Sequence, residues 1–142
     1  VNGSEVGNIT TNGATTSYNT TSDKRLKENI TATHYGLSTI MKLNVKDYNY
    51  ISDNKKLMQT GLLAQELCGV YPQAVKVGGA DAATNPWMVD YSKLTPLVVK
   101  AVQELSEENA SLKQNLSAQN NEILLLKNEM EQIKLLLKKQ NL

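Results

Sequence analysis

From Ser92 onward, apolar residues return at alternating intervals of three and four. With Val102, Asn109, Leu116, Ile123, Met130 and Leu137 at heptad position a, position d falls on Val98, Leu105, Leu112, Gln119, Leu126, Ile133 and Gln140. A lone amphipathic helix has no reason to hold a 3.5-residue period for so long, so the pattern predicts a coiled coil with partner helices. The seam would run roughly 64 Å at 1.5 Å per residue, beyond the shelter of a small unit upstream. Thr95 is placed to cap the helix with Pro96 at its first position, where a missing N–H costs nothing. No glycine or proline follows. Residues alone leave dimer and trimer open. Asn109 at an a position is a device of dimers, whereas mixed Leu, Ile and Met at both positions does not enforce two strands. Asn109, Gln119 and Gln140 read as polar pins that fix register, with ion binding as their alternative role.

Upstream the patterns are shorter. Leu37, Ile40, Met41 and Leu43 keep near-helical spacing and predict a short helix over 35–43. Val45, Tyr48, Tyr50 and Ile51 predict a strand ending at a Ser52-Asp53-Asn54 turn, with 56–60 returning as its partner. Residues 61–69 read as a helix carrying Leu62, Leu63 and Leu67, closed by Gly69 as its C-terminal cap and followed by Pro72. Residues 74–77 and 87–89 are short strand candidates around a Gly78-Gly79 loop. Residues 1–21 are mostly Thr, Ser, Asn and Gly, with Glu5 the only charge and Val1, Val6, Ile9, Ala14 and Tyr18 the only apolar or sizeable side chains. Such a stretch reads equally as a flexible linker and as strand paired by a neighbouring chain. The fold class is therefore α+β. A polar segment (1–21) precedes a small helix-and-hairpin head (22–91), and a long helix (92–142) forms a parallel coiled coil.

Composition narrows the functional classes. The 142 residues, 40% of them apolar, suit one small domain with extensions. Lys plus Arg number 15 and Asp plus Glu 14, so no global field draws the chain to nucleic acid or an anionic membrane. A DNA-binding zipper needs a basic helix leading into the coil, and residues 89–98 hold only Lys93. No apolar run approaches the roughly 20 residues needed to cross a bilayer, and no signal peptide is present. A chain that begins at Val1 reads as the tail of a longer polypeptide. Cys68, the single cysteine, excludes an internal disulfide and reads as a small buried apolar residue. His34 is the single histidine and reads as a loop residue. With no histidine cluster, phosphate loop or spaced carboxylates, neither a metal nor a cofactor is expected. Tyr48, Tyr50, Trp87 and Tyr91 read as packing rather than a ligand platform, because basic residues do not interleave them.

The chemistry-bearing stretch is Ser22-Asp23-Lys24-Arg25-Leu26-Lys27, where a hydroxyl and an amine stand close together as the polar segment gives way to the head. Taken alone it reads most simply as a charged loop. However, SDKRLKENI at 22–30, GLLAQELCGVYPQAV at 61–75 and VDYSKLTPLVVKAVQEL at 89–105, in that order, resemble the intramolecular chaperone domain at the C-terminus of phage tailspikes, tail fibres and neck appendages. Endosialidase tailspikes typify that family, and the self-cleaving domain of the myelin regulatory factor family is similar. The resemblance implies a homotrimer that helps an upstream β-rich fibre segment of the same polypeptide to fold. It implies release by autoproteolysis immediately before the motif serine, within a virion tail or appendage precursor assembled in the host cytoplasm. Carried onto this chain, the scissile bond is Thr21–Ser22, Ser22 is the nucleophile and Lys27 the general base. Asp23 and Arg25 match supporting positions. Gln65, in the family-like AQE run, is the candidate oxyanion donor, and Glu66 beside it reads as solvated or ion-paired.

Lysine can take a serine proton near neutral pH only where burial or nearby positive charge destabilises its ammonium. Lys24 and Arg25 are the expected sources of that charge. An i, i+5 pair points apart on a regular helix or strand, so the backbone must turn between Ser22 and Lys27. Trimer assembly is the expected cause of that turn and of the burial of Lys27. The competing readings are a trimerisation anchor that never cuts and a glycan-binding fibre tip displaying loop 78–85.

Overall fold

The computed structural model describes residues 6–140. Val1 and Glu5 lie outside the described residues, as does the side chain of Gln140 with its heptad assignment. The chain divides between Thr33 and His34 into two units.

In the first unit, β1 (Gly7–Thr11) pairs antiparallel with β2 (Thr16–Thr20), setting Ile9 opposite Tyr18 and Asn8 opposite Asn19. The turn is built by Asn12, whose Oδ1 accepts from the N–H groups of Ala14 (3.1 Å) and Thr15 (2.9 Å). Gly13 adopts φ +85° there, a left-handed conformation that glycine enters without steric cost. Asn19 Nδ2 donates to Asn8 Oδ1 at 2.8 Å and to Thr10 Oγ1 at 3.3 Å. Every residue of both strands is exposed, so the ladder and these side-chain bonds hold the hairpin. The strand reading of residues 1–21 thus applies, but the pairing strand comes from the same chain rather than a neighbour.

The second unit holds the core. Helix α1 (Leu37–Ile40) is shorter than the 35–43 expected, because the chain tightens beyond it into i→i+3 bonds ending at Leu43. Strands β3 (Val45–Tyr48) and β4 (Gln59–Leu62) form the predicted hairpin. Its loop is wider than expected: the Asp53 carboxylate accepts from the N–H groups of Lys55 and Leu57, both at 2.9 Å. Tyr50 and Ile51 therefore fall in the loop and the return strand begins at Gln59, not at residue 56. Gly61 and Leu62 end that strand instead of starting a helix. Helix α2 (Ala64–Val70) follows, and Gly69 lies inside it. The helix closes where the Tyr71 N–H reaches the Leu67 carbonyl at 2.7 Å and Pro72 opens a 3₁₀ turn. Strands β5 (Val75–Lys76) and β6 (Met88–Val89) pair antiparallel within the expected segments.

Helix α3 (Leu94–Gln140) begins earlier than a Thr95 cap would allow. Asp90 provides the stop instead. Its Oδ1 accepts from the Ser92 N–H (3.1 Å) and hydroxyl (2.6 Å), capping a 3₁₀ turn that runs into the helix. Pro96 still sits in the first turn, where the N–H has no intrahelical partner.

Leu67, Tyr71, Ala74 and Leu97 form the core, with Tyr35, Ile40, Leu43, Leu62, Val75, Val89 and Leu94 packed around them. Cys68 is half-buried rather than buried. Glu104 fastens α1 to α3: its Oε2 accepts the Leu37 N–H at 2.7 Å while Lys100 lies 3.3 Å from its other oxygen. Gly36 leaves room at this crossing, since a Cβ there would meet the Glu104 carboxylate and make it shift. Leu97 and Ala101 are thus buried against the head, whereas the apolar a and d side chains from Val98 to Leu137 remain 46–59% exposed.

A candidate serine–lysine site

Thr21 ends the hairpin, its N–H donating to the Val6 carbonyl at 3.1 Å. Two residues later the chain reverses. Asp23, extended at φ −65° and ψ 127°, is the N-cap of a 3₁₀ turn over Lys24–Leu26, and its carboxylate accepts the Arg25 N–H at 2.8 Å. The Leu26 N–H bonds the Asp23 carbonyl and the Lys27 N–H bonds the Lys24 carbonyl, each at 3.1 Å. Lys27 then leaves in extended conformation. This reversal carries the Lys27 ammonium back onto Ser22, where Nζ donates to Oγ at 2.7 Å. The turn closes within one chain. The expectation that assembly must create it is corrected: an aspartate cap does so locally.

The charges are arranged differently from the sequence reading as well. Arg25 folds back on Asp23, with Nε 3.1 Å from each carboxylate oxygen and Nη2 2.6 Å from Oδ2. The Arg25 side chain, followed by its N–H, holds the Asp23 carboxyl below the usual aspartate range, and the Lys27 charge adds to this. Burial works in the opposite sense and outweighs the Lys27 contribution. The Arg25 guanidinium is correspondingly raised by Asp23. Its charge is thus balanced by Asp23 and is not available to destabilise Lys27. Ser22 and Lys27 are both exposed, so the burial that a lysine base needs is not provided by these residues themselves.

Ser22, Asp23, Arg25 and Lys27 are brought together. Gln65 belongs to the second unit, exposed in the first turn of α2. There it lines an open groove of about 530 Å³ with Tyr48, Tyr50, Trp87 and Tyr91. Tyr48 and Tyr50 meet edge to face at 5.5 Å and the Tyr91 hydroxyl accepts the Leu62 N–H at 3.0 Å, but Tyr50 and Tyr91 stay 60% and 52% exposed instead of joining the core. Glu66 accepts from Asn44 Nδ2 at 3.3 Å, and His34 is exposed with its ring against Tyr35 at 4.0 Å. Sequence reasoning missed Asp90 and Glu104. Their signals were present, as an Asp two residues before a Ser at a helix start and as a Lys100–Glu104 pair at i, i+4.

Residues 22–76 match the peptidase family described as the chaperone of endosialidase. The chain carries an endosialidase-chaperone domain. The family match opens on Ser22, the first residue of the serine–lysine turn, and runs through α1, the β3–β4 hairpin and α2 into β5. The endosialidase-chaperone sequence therefore spans both units. The chain is also 30% identical over 112 residues to a probable tail fiber protein of Escherichia phage Phieco32. That alignment covers 75% of this chain and 16% of the fibre protein, so the endosialidase-chaperone chain spans a small part of its relative's length.

Proposed function

We propose that this chain is the intramolecular chaperone of a phage tail fibre or appendage. It trimerises through α3, assists folding of the β-rich segment upstream, and releases itself by cutting its own Thr21–Ser22 bond. The observation that carries the reading is the 2.7 Å contact of Lys27 Nζ with Ser22 Oγ, at the residue where the family match begins. In the reaction, Lys27 as free amine takes the Ser22 hydroxyl proton and Oγ attacks the Thr21 carbonyl carbon. The C–N bond breaks as Lys27 returns the proton to the Ser22 nitrogen, leaving Thr21 esterified to Ser22. Water then hydrolyses that ester, freeing the Thr21 carboxylate and the Ser22 hydroxyl. No cofactor is called for.

With Nζ donating to Oγ, the exposed pair is in a resting arrangement, since a base must first lose its proton. Assembly supplies the missing condition. Burial of Lys27 in the proposed trimer would favour its neutral form and tie cleavage to completed folding. Gln65 is the proposed oxyanion donor.

Denaturing mass spectrometry of freshly purified protein tests this. Wild type should yield a fragment beginning at Ser22. Ser22→Ala should remain full length, and Lys27→Ala should cut at least about 100-fold more slowly, while both still trimerise. Wild type that stays intact would leave the non-cleaving anchor as the correct reading.

A further inference from the structure

The contact of Ser22 with Lys27 depends on a reversal that neither residue makes. Between them the Asp23 side chain bonds the turn's backbone, accepting the Arg25 N–H at 2.8 Å. Without an acceptor there, that N–H loses its partner at the start of the turn, and only the two 3.1 Å backbone bonds and the Ser22–Lys27 contact are left to offset the entropy of holding these residues in one conformation. The Asp23 carboxylate performs a second task in gripping the Arg25 guanidinium at 2.6 Å, but the arginine side chain is 88% exposed. An ion pair so open to solvent adds little. The two tasks are chemically separable, because an amide oxygen can cap a turn and cannot form an ion pair.

We propose that Asp23 is a positioning residue for the Ser22–Lys27 pair, acting as the neutral-replaceable cap of the turn that returns Lys27 to Ser22. The Arg25 ion pair is secondary. This rests on the self-cleavage reading and adds to it which atom holds the reacting geometry. In the proposed reaction the Asp23 carboxylate, engaged by Arg25, neither gives nor takes the proton. Its charge, lying near Lys27, would if anything favour the ammonium, so a purely electrostatic role predicts faster cleavage on its removal.

The test uses the full chain and the rate of fragment release by intact mass. Asp23→Ala is expected to slow cleavage by at least about tenfold, since small misplacements of a reacting pair cost large factors. Asp23→Asn should stay within about threefold of wild type because asparagine caps as well as aspartate. Arg25→Ala should also stay within about threefold. Asp23→Asn as slow as Asp23→Ala, or Asp23→Ala at the wild-type rate, overturns the proposal. A second measurement is independent of cleavage. In the uncut Ser22→Ala chain, a nuclear Overhauser contact should join the methyl at position 22 to the Lys27 ε-methylene. Adding Asp23→Ala should abolish it and adding Asp23→Asn should keep it. Persistence of the contact with Asp23→Ala overturns the positioning role even if wild type never cuts. Absence of cutting with the contact behaving as expected faults the self-cleavage reading alone.

Discussion

Asp23 shows how much a single carboxylate can decide. Its folded-state pKa lies below the ordinary value, chiefly through Arg25. A depressed carboxylate lends stability that is present above its unfolded pKa and lost as pH falls through the folded one. The carboxylate should therefore stay ionised, with the turn formed, from neutral pH down to about pH 4, and lose its pairing with Arg25 only below that. The Ser22–Lys27 nuclear Overhauser contact, followed by titration in the Ser22→Ala chain, checks this, and loss of the contact near pH 6 would contradict it. The two end residues of this motif were legible in the sequence, but the turn between them was not. Spacing at i, i+5 says only that the chain must bend. Whether Asp23 bonds the Arg25 N–H, its side chain or solvent depends on angles that residue order does not carry.

Longer patterns told more about where elements lie than about how they end. Strand-favouring Val45, Tyr48, Tyr50 and Ile51 before the Ser52-Asp53-Asn54 turn marked a hairpin, and the apolar residues around Leu67 marked a helix. Three boundaries shifted because a polar side chain or a proline claimed backbone groups first. Asp53 widened one loop, Asp90 began α3 ahead of Thr95, and Pro72 with Tyr71 closed α2 past Gly69. The core that results is small, so its members are individually costly to lose. Leu67, 2% exposed, should destabilise the head by about 2–5 kcal/mol when replaced by alanine. Urea unfolding followed by the fluorescence of half-buried Trp87 measures that loss. A change below about 0.5 kcal/mol would place Leu67 outside a packed core.

Helix α3 must satisfy two demands on different faces. Leu97, Ala101 and Glu104 hold the head, and the apolar a and d stripe is left exposed, free for the proposed assembly. In the proposed assembly that division accounts for an uninterrupted period readable from the sequence, since the stripe would answer to partners along its whole length. The number of partners was not readable, because Asn109 and the mixed Leu, Ile and Met positions serve more than one bundle size. Sedimentation equilibrium should give a mass three times the 15.6 kDa of the chain or, after cleavage, of its released part. Asn109, whose side chain bonds the Leu105 carbonyl at 2.9 Å in the single helix, should act as a register pin in the bundle. Asn109→Leu is expected to raise the thermal midpoint while broadening the distribution of assembly sizes. A unique trimer with unchanged stability would argue against that role.

The bond between the Thr21 N–H and the Val6 carbonyl lies wholly on the departing side of the proposed cut. A severed fibre would therefore not end in a loose tail. Its final residue would already be stitched into a closed β-ribbon, with the new carboxylate anchored beside Val6, leaving little frayed backbone for exopeptidases to grip or for stray strands to pair with.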